Sequence, residues 1–305
     1  MTEDVKWPFR TIVDEYGTYL NVKVLTAPFR SDEHYETYLA YAKEGPVIGF
    51  TSYQNWPFAI NNPHEDPYVG EHDHNYIQML DAWCHCFPDW AIDLLKPGID
   101  IAESDFVHTE TIVPAKEKIA DFIYSCPPDG ADKDSNDRPP DGWQAWNRNW
   151  ELAQKCFDSM GDITGILVGR EMLDCEDRWN VTTTNFLDWD EFKELVAASR
   201  FLFVPNVYDA SPRIITEALA MNVPVLMNRN ILGGWKYINK YTGEFFTDEH
   251  DFWPAVKRIM TGQYYPRSWI EMNYGRTSSG MRLHKFLQPL FPSKEMDSCE
   301  MAFLW

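Results

Sequence analysis

The sequence lacks the features that place a protein in or across a membrane. No apolar run approaches the roughly twenty residues needed to cross a bilayer. The first ten residues, MTEDVKWPFR, contain no basic region followed by an apolar run. We therefore expect no transmembrane segment and no signal peptide, and a cytoplasmic location.

Basic residues are scarce. The chain has 27 Lys and Arg against 47 Asp and Glu, giving a formal net charge of -20. This balance argues against duplex nucleic acid, whose phosphates need a basic patch, and against an anionic membrane surface. A pocket for a single small phosphorylated ligand needs only one or two local cations, so the overall charge does not exclude one.

Motifs for metals and dinucleotides are also missing. No G-x-G-x-x-G follows a predicted strand, which disfavours an NAD-type dehydrogenase. Cys84 and Cys86 flank His85, but no second cluster at ligand spacing accompanies them. We predict reduced structural thiols here, with no metal site and no cofactor.

What the chain does contain is a regular alternation of strands and helices. At 305 residues and 44% apolar composition it has the size and make-up of one large or two smaller globular domains. Strands that alternate with helices favour parallel sheets with right-handed crossovers. We predict an α/β protein with two Rossmann-like domains facing across a cleft, the N-terminal domain shortened. The predicted boundaries are 1–115 and 116–292, with the last helix able to pack back on the first domain, and a loose tail at 293–305 whose last residues, 303–305, are able to dock.

The hydrophobic pattern places most elements. Predicted strands cover 19–26, 47–53, 105–107, 122–126, 163–168, 181–186, 201–204, 223–227 and 243–247. Predicted helices cover 32–43, 89–95, 143–160, 188–199, 212–221, 251–260 and one or two segments within 267–290. Residues 77–86 fit a short helix or a strand, and 127–142 form a Pro-, Asp- and Gly-rich insertion that we expect to be mobile.

The stretch 201–229 is the most informative. A buried strand at 201–204 leads into a polar loop, and Pro212 then opens a helix with Ser211 as its N-cap. Open α/β sheets bind ligands at the carboxyl ends of their strands, and a helix N-terminus offers free backbone N–H groups and a positive dipole end. The sequence therefore predicts an anion site here.

Two acids frame this site. Asp209 lies in the loop and Glu217 lies in the helix. Carboxylates repel phosphate but accept hydrogen bonds from hydroxyl groups, so both suit the sugar and ribose parts of a ligand. With no metal motif, its phosphates need cations, and Arg213 is close to the helix start.

At these residues the chain resembles the family-4 glycosyltransferases. Their C-terminal domain carries an acid, seven residues and a Glu, matched here by Asp209 and Glu217, followed by Val223-Pro224-Val225. The segment 241–246 is similar to that family's Thr-Gly turn. The resemblance extends over 121–252 and departs in one respect, since the first acid is usually Glu. Exostosin-like glycosyltransferases share a similar Ser-Pro-Arg…Glu and Val-Pro-Val pattern and are the nearer rival within the fold.

The resemblance implies a GT-B glycosyltransferase. Such an enzyme would move a sugar from a UDP- or GDP-sugar to a glycan or other hydroxyl acceptor, with retention of configuration and without a metal. Asp209 would accept hydrogen bonds from the donor sugar, Glu217 from the ribose. Arg148 lies where the family places a Lys near the diphosphate. Backbone N–H groups of Ala210, Ser211 and Arg213 would also face phosphate, whereas Pro212 has none.

The remaining site residues are expected on neighbouring strand ends. The base would lie between Gly169-Arg170 and the segment 185–188, which includes Leu187. Relatives place a His of the first domain against the donor sugar, and the candidates are His85, His72 and His74. Lys133 and Arg138 are weaker candidates for additional phosphate-binding cations.

A non-enzymatic alternative stays open. A protein that keeps the nucleotide-sugar half and has a degenerate acceptor domain would act as a binding or scaffold protein. Asp209 in place of Glu and the short first region favour this alternative.

Overall fold

The computed structural model describes residues 5–58, 74–87, 96–115, 117–129, 142–170 and 179–304. It divides the chain into two compact units. Unit 1 comprises Met1–Phe106 and Tyr274–Trp305, and unit 2 comprises Val107–Asn273. The first boundary falls after Phe106 rather than after residue 115. The C-terminal stretch from Tyr274 belongs with the beginning of the chain, as the prediction that the last helix can pack back allowed.

Unit 1 is built on a six-stranded sheet. Its strands are β1 Phe9–Asp14, β2 Tyr19–Leu25, β3 Val47–Phe50, β4 Trp83–His85, β5 Gly98–Asp100 and β12 Ala302–Leu304. The order is β12-β1-β2-β3-β4-β5; β2 to β5 are parallel, and β1 is antiparallel to both neighbours. Its helices are α1 Asp32–Glu44, α2 Tyr76–Met79, α9 Arg276–Leu287 and α10 Lys294–Asp297.

Both termini of the chain contribute to the core of unit 1. Apolar residues of β1, β2 and β3 pack with Leu283 and Leu287 of α9, all at or near zero exposure. Helix α1 begins after Ser31, whose side chain accepts a hydrogen bond from the His34 N–H and so satisfies one of the free donors of the first turn.

Unit 2 is built on a second six-stranded sheet. Its strands are β6 Ala120–Ser125, β7 Gly165–Val168, β8 Val181–Thr184, β9 Ser199–Val204, β10 Val225–Asn228 and β11 Gly243–Phe246. The order is β11-β10-β9-β6-β7-β8, and every pair is parallel. Its helices are α3 Trp143–Asn147, α4 Trp150–Phe157, α5 Trp189–Ala197, α6 Arg213–Ala220, α7 Glu249–Thr261 and α8 Pro266–Asn273.

The core of unit 2 is rich in aromatic side chains. Phe203 of β9 lies at its centre, with ring centroids 5.2 to 6.3 Å from those of neighbours on strands and helices. These neighbours are Phe122, Tyr124, Phe157, Phe246 and Phe252. Aromatic burial of this kind fixes β6 and β9 at the middle of the sheet, where the candidate site lies.

The prediction of two Rossmann-like α/β domains is confirmed, but several elements were wrong. Residues 105–107 are not a strand, because Glu103–Phe106 forms a 3₁₀ turn. The predicted helix 143–160 is two helices, separated at Asn149, whose φ of 54° is left-handed. The tail is not loose: α10 and β12 form there, and β12 pairs with β1. Sequence analysis also missed β1 and β5.

Some predictions fall outside the described residues. The helix predicted at 89–95 lies entirely outside them, and so does most of the 127–142 insertion. The two ends of that insertion are described: Asp129 accepts hydrogen bonds from the backbone N–H groups of Gln144 and Ala145, at the start of α3. A Cβ on Gly142 would lie 2.3 Å from Asp129 Cγ, so only glycine allows this approach.

Candidate functional site

Arg148 and Asp209 meet at the carboxyl edge of the unit 2 sheet. Arg148 Nη1 lies 3.2 Å from Asp209 Oδ2, and the two side chains are 25% and 21% exposed. The preceding residue, Asn147, accepts hydrogen bonds from the Val207 N–H at its carbonyl and from the Tyr208 N–H at Oδ1. The end of α3 therefore holds the loop after β9 and brings two predicted site residues together.

The same loop is held from its other side. The Gly233 N–H donates to the Asp209 carbonyl at 3.0 Å, and the Leu232 N–H donates to the Val207 carbonyl at 3.1 Å. A Cβ on Gly233 would lie 1.9 Å from the Ala210 carbonyl oxygen, a distance that no side chain permits. Loop 207–211 is consequently fixed by backbone contacts on two sides, which keeps Asp209 in place.

A cavity of about 180 Å³ opens beside this pair, at the carboxyl ends of β6, β7 and β9. Predicted site residues Arg148 and Leu187 line it, as does Phe186 of the predicted base segment 185–188. It is also lined by residues that sequence analysis did not assign to the site: Ser125, Pro127, Val168, Trp189, Phe192, Leu202, Phe203, Val204, Asn206 and Ile214. Phe186 and Trp189 are 49% and 48% exposed. Exposed aromatic faces on a largely apolar cavity suit a flat, partly apolar ligand group.

One carboxylate oxygen of Glu217 is a buried acceptor with no donor among the described residues. It follows Ile214 of the cavity wall by one helical turn, so the two side chains share a face of α6. Within the described residues, Glu217 Oε2 is buried and makes no hydrogen bond. Burial raises the pKa of Glu217 to about 7, although Arg213 and Lys193 act in the opposite direction. Such a group is costly to keep unless a ligand supplies hydroxyl donors.

The start of α6 differs in detail from the prediction. Helix α6 begins at Arg213 with Pro212 as its N-cap, so Ser211 is not the cap and no side chain caps this end. Arg213 is exposed, Ser211 is half-buried and Ala210 is 2% exposed. An N-terminus without a capping side chain leaves its first N–H groups available to an anion.

Arg170 is already engaged within the protein. Its Nη2 donates to Asp129 Oδ2 at 2.7 Å and to the Pro127 carbonyl, and its Nε donates to Cys126 Sγ at 3.3 Å. The Arg170 and Asp129 side chains are 8% and 4% exposed. The preceding Gly169, at φ +94°, donates its N–H to the Thr184 carbonyl. A nucleotide contact by this pair stays a prediction.

The histidine candidates belong to unit 1. His85 ends β4 and is 5% exposed. His74 packs against Tyr35, with ring centroids 4.5 Å apart. His72, Lys133 and Arg138 lie outside the described residues.

Two absences concern the part of the chain that the structure describes. No group of three or more His, Cys, Asp or Glu side chains is placed there to hold a metal ion. No helix there has the length and apolar character needed to cross a bilayer.

Sequence reasoning missed residues that hold the loops around the site in place, among them the charged Asp129. Asn147, Asp129 and Gly233 act through backbone contacts with segments distant in sequence. Only Phe186 and Trp189 gave a usable signal, as aromatic residues beside the strand end predicted to hold the base.

Comparison with known proteins rests on structure alone. No protein-family model and no curated protein sequence matches the chain. The solved structure of TarM is similar with a TM-score of 0.59 and 12% identity, covering 89% of this chain and 55% of TarM. The lipopolysaccharide outer core galactosyltransferase WaaB is similar with a TM-score of 0.59 and 12% identity, covering 87% of this chain and 75% of WaaB. Anabaena HepE in complex with UDP is similar with a TM-score of 0.57 and 9% identity, covering 87% of this chain and 78% of HepE.

The chain thus spans about half the length of TarM and about three quarters of WaaB and HepE. At these identities the likeness concerns the fold, and each comparison covers both sheets of this chain. The choice between family-4 and exostosin-like relatives stays a prediction. The arrangement of two Rossmann-like units, each with its own six-stranded sheet, is the GT-B fold.

Proposed function

We propose that this protein is a glycosyltransferase that moves a sugar from a nucleotide-sugar donor, UDP- or GDP-linked, to a glycan or other hydroxyl acceptor. The single observation that carries the proposal is Glu217 Oε2, a buried carboxylate oxygen with no donor among the described residues, one helical turn from a residue of the cavity wall at the strand ends of unit 2. Ribose hydroxyls would supply the missing hydrogen bonds. The fold shared with WaaB and UDP-bound HepE supports the same choice.

The donor would lie along the carboxyl edge of the unit 2 sheet. Its base would enter the cavity beside Phe186 and Trp189, and its ribose would reach Glu217. The diphosphate would lie between Arg148 and the uncapped N-terminus of α6, where a cation and a helix dipole both favour negative charge. Asp209, already 3.2 Å from Arg148, would then accept hydrogen bonds from the donor sugar.

The chemistry we propose is retaining and independent of a metal ion. The bond from the anomeric carbon to the diphosphate oxygen breaks, and a bond from that carbon to the acceptor oxygen forms on the same face. The departing diphosphate takes the acceptor's proton. Arg148 and the α6 N-terminus stabilise the negative charge that develops on the leaving group. His85, in unit 1, is our candidate for contact with the donor sugar.

The proposal is tested by titrating UDP, GDP and the free nucleosides into the protein by calorimetry. Replacing Arg148 with Ala should weaken the binding of UDP or GDP by about tenfold or more, because a charge-assisted contact to phosphate is lost. The free nucleoside should bind with little change. Arg200→Ala is the matched control, since Arg200 is a half-exposed arginine of the same unit that pairs with Asp121 away from the cavity.

The possible results separate the two candidate functions. Equal losses for nucleotide and nucleoside would remove the phosphate contact, and no binding of any nucleotide would overturn the proposal. A nucleotide-sugar hydrolysis assay then follows. Nucleotide-sugar binding with no turnover against varied acceptors would favour the non-catalytic binding protein, for which the Asp at position 209 is the relevant departure from the family pattern.

A further inference from the structure

A second cavity lies in unit 1. It encloses about 360 Å³, within the range of ligand pockets in proteins. We call it the Trp7 pocket and define it by Lys6, Trp7, Glu33, His34, Thr37 and Tyr41. Nothing in the proposed donor site uses these residues.

The aromatic wall of this pocket is held rigidly. Trp7 is 48% exposed, and the Arg30 guanidinium lies 4.5 Å from the centroid of its ring. Arg30 in turn donates a hydrogen bond to the Tyr53 hydroxyl at 3.1 Å. The His34 ring meets the indole edge-on, with centroids 5.3 Å apart. A half-exposed indole that is already fixed loses little conformational freedom when a ligand stacks on it.

The opposite wall is polar and comes from one stripe of α1. Glu33, Thr37 and Tyr41 follow one another at intervals of four residues, so their side chains lie on one face of the helix. The Thr37 hydroxyl donates to the Glu33 carbonyl at 2.7 Å, which leaves its oxygen lone pairs free to accept.

Two charged groups at this pocket have no ion-pair partner within the described residues. These are the Glu33 carboxylate and the Lys6 ammonium, and both side chains are exposed. The pocket therefore offers strong acceptors and strong donors around one aromatic face.

This combination matches one class of ligand. A sugar ring has a face of C–H groups that packs on an aromatic ring, and a rim of hydroxyls that both donate and accept. A strongly anionic ligand would be repelled by Glu33, and a lipid chain would leave both charges without partners. We propose that the Trp7 pocket binds a hexose unit of a neutral oligosaccharide. Resting on the proposed function, this makes the acceptor an oligosaccharide rather than a small alcohol.

The test uses maltotetraose, cellotetraose, mannotetraose and chitotetraose as probes with the full chain, observed by saturation-transfer NMR and calorimetry. At least one should bind, with its strongest saturation on one or two sugar units. Trp7→Ala should reduce that affinity about tenfold or more, because the stacking face is removed. Glu33→Ala should reduce it about threefold or more, and it keeps the test valid should Trp7→Ala impair folding.

The matched control is Glu36→Ala, an exposed glutamate of the same helix that lies outside the pocket. It should leave oligosaccharide binding unchanged. The inference is overturned if none of the four probes binds, or if a probe binds both pocket variants with the affinity it has for the wild-type protein. A parallel titration with UDP and GDP separates the two proposals. If the wild-type protein binds neither nucleotide, the proposed function is wrong. The effect of Trp7→Ala on oligosaccharide affinity would still decide whether the Trp7 pocket binds a sugar.

Discussion

Units 1 and 2 both contain a six-stranded sheet, but they are assembled from the chain in different ways. Unit 2 is one continuous stretch whose strands are all parallel. Unit 1 takes two separate stretches, and its sheet ends in antiparallel strands, the outermost of which, β12, comes from the opposite end of the chain. Parallel strands buried on both faces carry a strong local signal, whereas an edge strand is decided by its distant partner.

The candidate site in unit 2 and the Trp7 pocket in unit 1 also differ in the exposure of their charged groups. In unit 2, Arg170 pairs with Asp129 at 8% and 4% exposure, and Glu217 Oε2 is buried with no hydrogen bond within the described residues. In unit 1, the charged groups of the Trp7 pocket are exposed. Water screens exposed charges much more than buried ones, so single charge changes should affect stability more at these unit 2 residues than at the Trp7 pocket.

The largest expected effect on stability follows from removing β12, the strand at the edge of the unit 1 sheet. Ending the chain after Glu300 removes β12, including Ala302 at zero exposure and Phe303 at 7% exposure. We expect unit 1 to lose about 3–5 kcal/mol of unfolding free energy, the usual cost of a core Phe alone. Hydrogen exchange should show faster exchange across β1, the strand with which β12 pairs.

The control for this truncation is Met281→Ala, which changes a 52% exposed side chain on α9 of the same unit. Its effect should stay within about 0.5 kcal/mol. Unchanged exchange in β1 after truncation would show that β12 does not stabilise the sheet and would weaken the contrast between the units.

The site was predictable where its signal is local. The strand, loop and helix that carry Asp209 and Glu217 follow from an apolar run, a polar segment and a proline in sequence, and all three elements are present. The helix start was off by one position, because the rule that proline suits the first helical turn does not say which residue closes the cap.

Contacts between distant segments could not be predicted in this way. Nothing in the sequence around Asp129 shows that its carboxylate binds both the N-terminus of α3 and Arg170, which is 41 positions away. Similarly, Gly233 is required by the Ala210 carbonyl, a neighbour only in the folded chain. The break at Asn149 escaped detection since the residues on both sides favour a helix.

A smaller effect, still large for one side chain, should follow from Asp129→Ala. The change leaves the Arg170 guanidinium buried without its carboxylate and removes the acceptor for two N–H groups of α3. Breaking a buried ion pair typically costs about 3 kcal/mol or more, measured here by urea unfolding. Arg200→Ala, which breaks the exposed Arg200–Asp121 pair, should cost less than about 1 kcal/mol. Equal costs would contradict the buried pair's importance.

The smallest of the three stability effects is the pH-dependent contribution of Glu217, and it is the one most closely tied to function. The folded-state pKa of Glu217, about 7, lies above its ordinary value of 4.5. A raised carboxyl pKa means that the folded state binds the proton more tightly than the unfolded state. The contribution of Glu217 to wild-type stability should therefore be greatest below about pH 4.5 and should decline until about pH 7, by on the order of 2–3 kcal/mol. Glu217→Gln, which cannot ionise, should lack this decline in urea unfolding followed from pH 5 to pH 8.

Nucleotide binding should show the opposite pH dependence. Ribose hydroxyls that donate to Glu217 favour the ionised carboxylate, so the affinity of the wild-type protein for UDP or GDP should rise with pH up to about 7 and then level off. In Glu217→Gln the affinity should be lower and this rise should disappear. Glu194→Gln, an exposed carboxylate of α5, should behave like the wild type in both measurements. A stability decline that is abolished while the pH dependence of binding persists would show that Glu217 is buried but does not contact the ribose.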